Sequence, residues 1–275
     1  MSDRVILVTN DDGVNAAGIL ALQQSLRGLG RVEVYAPDRN WSAASRTRTF
    51  HKPLRVDEVR LLDGSVGHVT NGTPSDCVSL ALLGLLEPAP DLIVSGINDG
   101  LNVGRDVSYS GTVAAAMEGV RAGIPAMAVS FDTVSERAER PDYSYAAAFA
   151  ARFGRFLLAQ ERLPQGILFN VNIPYLPAGR PLQARITRLG GEAYSNYLVT
   201  GKDPHGRNYY WISGDPLTGV QGEELGTDIG AISNGLVSIT PIHLDMTEHS
   251  LLEELRGWES TLDQGEAEAQ ASGQT

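Results

Sequence analysis

Two adjacent carboxylates follow the first apolar run of the chain. The run Val5–Val8 leads directly into Thr9-Asn10-Asp11-Asp12-Gly13. An apolar run that ends in acidic residues and a glycine predicts a buried strand that opens onto its carboxyl-end loop, where open α/β sheets bind ligands. Because a turn can bring both carboxylates to one point, Asp11 and Asp12 are candidate ligands of a cation. The alternative is a polar turn with a helix cap, which the same residue types favour.

A second loop carries similar oxygen donors. Asn98 and Asp99 follow the apolar run Leu92–Val94 and lie in the segment Ser95–Gly104, which is too rich in glycine and asparagine to predict a helix or a strand. Because the carboxyl ends of parallel strands meet at one edge of a sheet, Asn98 is expected near the two aspartates. Oxygen ligands, with no paired Cys or His spacing, favour Mg²⁺ or Mn²⁺ over zinc.

Two further loops on the predicted edge offer hydroxyl groups. The segment Pro37–Ser45 follows the apolar run Val32–Tyr35, and its spacing does not distinguish Ser42 from Ser45 as a ligand. Ser110-Gly111-Thr112 precedes a predicted helix, where hydroxyl and N–H groups favour an anion such as phosphate. Ordinary helix capping would use the same atoms.

A basic run stands out in an otherwise acidic chain. Arg46, Arg48, His51 and Lys52 follow the serine loop. Most such runs are solvated faces, but this one could also attract an anionic substrate. The sequence leaves both interpretations open.

These loops belong to an alternation of strands and helices. The predicted core strands are Val5–Val8, Val32–Tyr35, Leu92–Val94, Ala126–Phe131 and Leu168–Ile173, and the predicted helices are Ile19–Leu26, Thr73–Leu86, Val113–Val120 and Tyr143–Leu158. Strands linked by helices predict an α/β fold with a mostly parallel sheet and helices on both faces.

The pattern changes after Pro174. Alternating residues in Ala184–Arg188 and Asn208–Ile212 predict exposed antiparallel strands, followed by a strand at Leu236–Ile239 and a terminal helix at Thr247–Trp258. Five aromatic residues of this part could form a small local core or a subunit interface. They are Tyr194, Tyr197, Tyr209, Tyr210 and Trp211. We expect an α/β core over 1–175, an oligomerisation arm with a returning core strand and terminal helix over 176–258, and a disordered acidic tail over 259–275.

Composition excludes several classes of partner. The chain has 275 residues, is 42% hydrophobic and carries a net charge of −11, so its field repels nucleic acid and acidic lipid. No apolar run reaches the roughly 18 residues that a membrane helix needs, and the start of the chain lacks the pattern of a signal peptide. The single cysteine, Cys77, fits a buried apolar position in a cytoplasmic protein.

Together these motifs resemble the SurE family, the stationary-phase survival proteins that act as metal-dependent 5′/3′-nucleotidases. The resemblance covers most of the chain and keeps the order and spacing of the family's motifs. The matching segments are Ile6–Gly13, Ala36–Ser42, Gly72–Val78, Ser95–Gly104 and Tyr109–Val113.

The resemblance implies more than the residue pattern alone. It implies that Asp11, Asp12, Ser42 and Asn98 bind one divalent cation per subunit, Mg²⁺ or Mn²⁺, and it thereby selects Ser42 over the other loop serine. It also implies a Rossmann-like α/β domain with a carboxyl-terminal arm, a β-hairpin and helix exchanged in a homodimer that can assemble further into a homotetramer.

The hypothesis that follows is hydrolysis of nucleoside 5′-monophosphates, and possible further substrates are 3′-monophosphates and short polyphosphate. Asp11 and Asp12 are the candidate catalytic residues because they hold the cation, and one of them could orient or deprotonate the attacking water. The candidate substrate-binding residues flank the carboxylates or open the phosphate-side helix. They are Asn10, Gly13, Ser110, Gly111 and Thr112.

Two other classes of protein fit the sequence less well. A phosphatase that forms an aspartyl phosphate usually has its two aspartates separated by one residue, whereas Asp11 and Asp12 are adjacent. A receiver-like signalling module would bind Mg²⁺ through an acidic pair, but it is less than half this length. It also needs a phosphoacceptor aspartate where this chain has Asn98.

Overall fold

A nine-stranded sheet is the centre of the fold in the computed structural model, which describes residues 4–133, 141–177, 180–191, 194–216, 224–259 and 262. The described residues form eleven strands, nine in this sheet and two, β9 and β10, in a sheet of their own. They are β1 (Val5–Thr9), β2 (Arg31–Pro37), β3 (Val56–Arg60), β4 (Val66–Thr70), β5 (Leu92–Asp99), β6 (Ala126–Phe131), β7 (Ile167–Ile173), β8 (Ala184–Ile186), β9 (Tyr194–Lys202), β10 (Asn208–Pro216) and β11 (Val237–His243). The chain divides into two compact units, Met1–Leu244 and Asp245–Thr275.

The helices lie between these strands or follow them. They are α1 (Ala17–Leu26), α2 (Pro74–Leu80), α3 (Gly111–Arg121), α4 (Ser144–Ala159), α5 (Asp228–Ser233) and α6 (Leu252–Arg256), with a π-helical turn at Ala81–Leu85 and 3₁₀ turns at Gly104–Tyr109 and His249–Leu251. No helix in the described ranges is long and apolar enough to cross a membrane.

The order of the strands places β1 in the middle of the sheet. That order is β3-β4-β2-β1-β5-β6-β7-β11-β8. The strands β4, β2, β1, β5, β6 and β7 run parallel, whereas β3 and β11 pair antiparallel with β4 and β7. This confirms the predicted Rossmann-like, mostly parallel sheet. It also places the loops after β1, β2 and β5 at one edge.

Alternate residues of β1 contact two different helical layers. Ile6 and Val8 belong to an apolar cluster shared with α1 and α4, and Val5 and Leu7 belong to a second cluster shared with α2 and α3. All four side chains are at most 1% exposed. Because helices cover both faces, the strand is apolar at every position.

The predicted start of α2 is confirmed in detail. The Thr73 hydroxyl accepts a hydrogen bond from the Asp76 backbone N–H at 3.2 Å, and the Asp76 carboxylate accepts one from the Thr73 N–H at 2.9 Å. This reciprocal pair is a capping box, with Pro74 in the first turn. Cys77 follows and is fully buried, as expected for a small apolar side chain.

The strand β5 is longer than the sequence predicted. The residues Ser95–Asp99 continue it, with a register shift against β6 between Ser95 and Asn98. Gly96 makes this irregularity possible because its φ is +139°, and a Cβ there would lie 2.3 Å from the Val129 carbonyl oxygen. The glycine content of Ser95–Gly104 predicted a loop, but in the structure Gly96 lies at a bulge inside a strand. The β3–β4 hairpin was also not predicted.

The hairpin of β9 and β10 forms a sheet of its own with nine paired residues on each strand. Its apolar side chains are largely uncovered: Tyr210 is 59% exposed, Trp211 66% and Ile212 85%. Successive residues of a strand point to opposite faces, so both faces of the hairpin are open. Among the described side chains, the aromatic residues therefore do not form the small local core that was one of their two interpretations.

The carboxyl-terminal part of the predicted arm contains two different structures. The strand β11 pairs with β7 in the main sheet, as expected for a returning strand. The strand β8 pairs parallel with β11, so the antiparallel pairing expected for Ala184–Arg188 is wrong. In the terminal unit the 3₁₀ turn at His249–Leu251 precedes α6, which together occupy part of the predicted helix Thr247–Trp258. Of the predicted acidic tail, residues 260–261 and 263–275 lie outside the described residues. The predicted division at 175 and 258 stays a prediction.

Close packing of α1 against β5 predicts a strong effect of one methyl group. A Cβ on the buried Gly18 would lie 2.1 Å from the Ile97 carbonyl oxygen, whereas a Cβ on Gly28 would meet no atom within 4 Å. Gly18→Ala should lower the free energy of unfolding by about 2 kcal/mol or more, and Gly28→Ala should change it little. Urea unfolding followed by circular dichroism measures both, and equal stability of the two variants would contradict the packing described here.

Candidate active site at the carboxyl edge of the sheet

A tight turn after β1 fixes the two adjacent carboxylates. The Asn10 side-chain amide donates to the Gly13 carbonyl oxygen at 2.9 Å, and its carbonyl oxygen accepts from the Gly13 N–H at 3.2 Å. Gly13 has a φ of +102°, and a Cβ there would lie 3.3 Å from the backbone of Arg39. Both residues therefore shape the turn, and their predicted contact with substrate stays a prediction.

Asp11 connects three segments of the chain. Its Oδ1 accepts a hydrogen bond from the Thr112 hydroxyl at 2.6 Å, and its backbone carbonyl accepts from the Trp41 N–H at 2.7 Å. A Cβ on Gly111 would lie 2.8 Å from Asp11 Oδ2, so glycine allows α3 to begin against this carboxylate. The side chain is only 3% exposed. Asp11 is thus a buried carboxyl group at the amino-terminal end of a helix.

Asp12 connects the loop that follows β2 with the end of β5. Its Oδ1 accepts from the Asn40 amide at 3.2 Å, and its Oδ2 accepts from the Asp99 backbone N–H at 3.2 Å. The side-chain oxygen Oδ1 of Asn40 in turn accepts from the Ser42 N–H at 2.7 Å. The structure therefore brings three of the predicted loops together, and Asn40 is a connecting residue that sequence reasoning missed.

Ser42 lies in the loop after β2, and Asn98 lies near the end of β5, next to the Asp99 N–H that contacts Asp12. Ser42 is exposed, whereas the alternative residue Ser45 donates its hydroxyl to the Ser108 carbonyl at 2.8 Å. Asn98 is half-buried, and its amide nitrogen donates to the Gly100 carbonyl at 2.8 Å. The amide nitrogen is thus engaged, and the side-chain oxygen is the ligand atom that Asn98 can offer.

The hydroxyl groups of the segment Ser110-Gly111-Thr112 form contacts within the protein. The Ser110 hydroxyl accepts from the Val113 N–H at 3.1 Å and caps α3, so ordinary capping is confirmed for that residue. The Thr112 hydroxyl is directed to Asp11. Contact of these residues with a phosphate stays a prediction.

Buried asparagines anchor the loop between β5 and α3. The Asn102 carbonyl accepts from the side-chain amides of Asn170 at 2.8 Å and Asn172 at 2.9 Å, and its own amide donates to Ser130 at 2.8 Å. Further along, the Asp228 carboxylate accepts from the Gly104 N–H at 2.8 Å. These contacts join residues far apart in the chain, so no local pattern could reveal them.

The basic run is largely bound to the protein. Arg46 pairs with Glu118 at 3.1 Å, Arg48 donates to the Ser79 hydroxyl at 2.7 Å, and Lys52 donates to the Asn71 carbonyl at 3.1 Å. These contacts attach the loop after Ser42 to α2, α3 and the segment after β4. Attraction of an anionic substrate by the run stays a prediction.

Two negative charges share this edge without a positive partner. In the part of the chain that the structure describes, neither Asp11 nor Asp12 forms an ion pair. Burial raises the pKa of Asp11, and the Thr112 hydrogen bond only partly opposes this rise. Burial and then repulsion from Asp11 raise the pKa of Asp12 to about 6. Both shifts show that ionisation of the pair is unfavourable in the protein alone.

The donor set fits a hard divalent cation. Among the described residues, no group of three or more His, Cys, Asp and Glu side chains is placed to hold a metal ion. The edge instead offers the two carboxylates of Asp11 and Asp12. The side-chain oxygens of Ser42 and Asn98 are the neutral groups expected to complete the ligand set of a cation. Oxygen ligands of this kind suit Mg²⁺ or Mn²⁺, and a cation would offset the repulsion between the carboxylates.

Removing one of these charges should stabilise the metal-free protein. The folded chain binds a proton on Asp12 more tightly than the unfolded chain does, so the ionised group destabilises the fold as the pH rises from about 4 to above 6. In excess chelator at pH 7.5, Asp12→Asn should raise the free energy of unfolding by up to about 3 kcal/mol. The gain should disappear below about pH 4. Chemical unfolding across this pH range measures it, and a less stable variant at pH 7.5 would contradict the electrostatic description.

Comparisons with known proteins identify the family of the chain. The chain matches the family model for the survival protein SurE over residues 6–196. The 5′-nucleotidase SurE of Herpetosiphon aurantiacus is 50% identical over 242 residues, which cover 88% of this chain and 93% of that protein. The 5′-nucleotidase SurE of Chloroflexus aggregans is 49% identical over 256 residues, which cover 92% and 98%. A crystal structure of the SurE protein from Aquifex aeolicus has a TM-score of 0.79 at 38% identity, covering 93% of this chain and 99% of that chain. The chain therefore belongs to the SurE family.

Proposed function

We propose that this protein is a divalent-metal-dependent 5′-nucleotidase that converts nucleoside 5′-monophosphates to nucleoside and phosphate. The observation that carries the proposal is the adjacent pair of buried Asp11 and half-buried Asp12, which has no cationic partner among the described residues and adjoins the start of α3. The relatives support it, because proteins called 5′-nucleotidase SurE are 50% and 49% identical to this chain over most of their length.

The proposed cation ligands are Asp11, Asp12, Ser42 and Asn98. A bound Mg²⁺ or Mn²⁺ supplies a Lewis acid that neutralises charge on the phosphoryl oxygens and lowers the pKa of water. The protein holds the two carboxylates through Thr112, Asn40 and the Asp99 N–H. One of the aspartates is proposed to orient the attacking water in line with the leaving oxygen.

The amino-terminal end of α3 is the proposed phosphate site. Ser110 caps the helix, and Thr112 orients Asp11, so both residues fix the position of the first helical turn. Hydroxyl and N–H donors at such a turn stabilise negative charge as it builds on the phosphoryl group. This arrangement recognises a phosphate monoester and leaves the remainder of the substrate free to vary. Nucleoside 3′-monophosphates and short polyphosphate are proposed as further substrates.

Loss of one carboxylate should remove the activity but not the fold. With Mn²⁺ or Mg²⁺ and a nucleoside 5′-monophosphate, Asp11→Asn should lower phosphate release by at least about a hundredfold, because it removes a charged ligand. The matched control is Asp57→Asn, which neutralises an exposed aspartate on the edge strand β3 and should retain full activity. Substantial metal-dependent turnover by Asp11→Asn would contradict the proposal. A single stable phosphorylation of the wild-type chain without turnover would instead indicate the receiver-like module.

The exposed hairpin is the proposed contact between subunits. Its apolar side chains are uncovered on both faces, which is typical of a surface that binds another protein. The net charge of −11 disfavours nucleic acid and acidic membranes as the partner. A second copy of this chain, giving a homodimer or homotetramer, therefore suits the surface best. The cytoplasmic location favoured by the single cysteine stays a prediction.

Charge on the hairpin should separate the subunits. We expect Trp211→Glu to shift the wild-type dimer or tetramer towards monomer, because the carboxylate would be buried in an apolar interface. The control is Leu83→Glu, at a residue that is 82% exposed on the π-helical turn and should not affect assembly. Sedimentation velocity at matched concentrations measures the change. A wild-type monomer at tens of micromolar would contradict the proposed role of the hairpin.

A further inference from the structure

The loop that carries Ser42 has an unfavourable backbone. Ala43 has a φ of 58° and Ser45 a φ of 52°, both in the left-handed region that side chains other than glycine rarely adopt. Two such residues close together persist only where surrounding contacts determine the conformation. The position of Ser42 therefore depends on what holds the loop from outside.

The first set of outside contacts comes from the segment that precedes α3. The Ser45 N–H donates to the Tyr109 carbonyl at 3.0 Å, and the Ser45 hydroxyl donates to the Ser108 carbonyl at 2.8 Å. These bonds attach the loop to the 3₁₀ turn that ends next to Ser110. They fix one end of the strained region.

The second contact is an ion pair with a buried carboxylate. The Arg46 Nε donates to Glu118 Oε1 at 3.1 Å, and Glu118 is only 2% exposed. The other carboxylate oxygen accepts from the Arg121 Nε at 3.2 Å and from the Ser79 hydroxyl at 3.5 Å. Glu118 is thus held by partners on α2, on α3 and in the loop, and a buried charge with several partners is a rigid anchor.

The helix α3 consequently holds two parts of the site at once. Thr112 in its first turn binds the Asp11 carboxylate, and Glu118 further along the same helix binds the loop that follows Ser42. A rigid helix fixes the distance between these two attachments. Asp11 and the Ser42 loop are therefore positioned relative to one another by a single element.

We propose that Glu118 is a positioning residue, which acts through Arg46 to hold the Ser42 loop against the aspartate pair. This inference rests on the proposed function, because Ser42 is taken as a ligand of the cation. Glu118 does not itself contact the substrate or the cation. Arg46 then serves the site through its ion pair with Glu118. This role replaces the two interpretations of the basic run, a solvated face or the attraction of an anionic substrate.

The chain provides a matched pair of variants. Arg46 and Arg121 each donate one Nε–H to Glu118, and their side chains are 41% and 56% exposed. Only Arg46 belongs to the Ser42 loop. Arg46→Met and Arg121→Met therefore each remove one Nε–H contact from the same carboxylate, but only Arg46→Met releases the Ser42 loop from α3.

The test measures Mn²⁺ binding without substrate, by electron paramagnetic resonance, together with kcat, KM and Tm for each variant. Arg46→Met should raise the Kd for Mn²⁺ about tenfold, as is typical when a residue that supports a metal ligand is removed. Arg121→Met should stay close to wild type. Glu118→Gln should also weaken Mn²⁺ binding, and the double variant Arg46→Met/Glu118→Gln should bind no more weakly than the weaker of its two single variants.

Three results would overturn this inference. The first is equal Mn²⁺ affinity of Arg46→Met and Arg121→Met. The second is a loss of Mn²⁺ affinity in the double variant that equals the sum of the two single losses. The third is a loss of Mn²⁺ affinity that is proportional to the fall in Tm across the variants. The proposed function fails separately. A wild-type chain that binds Mn²⁺ but does not release phosphate from nucleotides would contradict the nucleotidase activity, while the comparison of Mn²⁺ affinities would still decide the role of Glu118.

Discussion

Repulsion between two adjacent carboxylates is the constraint on which this edge of the sheet depends. Asp11 is buried, and Asp12 beside it has a pKa raised to about 6 by burial and by that repulsion. Neutral donors surround the pair: the Thr112 hydroxyl, the Asn40 amide and the Asp99 N–H. Neutral donors orient carboxylates without cancelling their charge. The fold thus maintains an unfavourable arrangement that a divalent cation would relieve, as is common where stability is reduced for function.

The strand that precedes this pair could be predicted because its local sequence pattern reflects its surroundings in the fold. The continuous apolar run of β1 reflects helices on both faces, and its carboxyl end was correctly placed at the ligand-binding edge. The same reasoning placed Asn98 near the aspartates, and the Asp99 N–H does contact Asp12. The predicted end of β5 at Val94 was wrong, because a glycine at position 96 is equally compatible with a loop and with a bulge inside a strand.

What the sequence could not predict is contacts between distant residues. Nothing in their spacing distinguished Ser42 from Ser45, and only family resemblance selected Ser42. In the structure the Ser45 hydroxyl is bonded to the Ser108 carbonyl. Arg46 looked like part of a solvated basic run, yet it pairs with Glu118 on another helix. Such pairs become visible only when topology brings β2, β5 and α3 to one edge.

The central claim is that Asp11 and Asp12 form the main part of a cation site. Its most direct test is an anomalous difference map from crystals soaked in Mn²⁺. The account predicts one peak per chain, within coordination distance of carboxylate oxygens of both aspartates and next to Ser42 and Asn98. A peak that contacts neither aspartate, or no peak at saturating Mn²⁺, would contradict it.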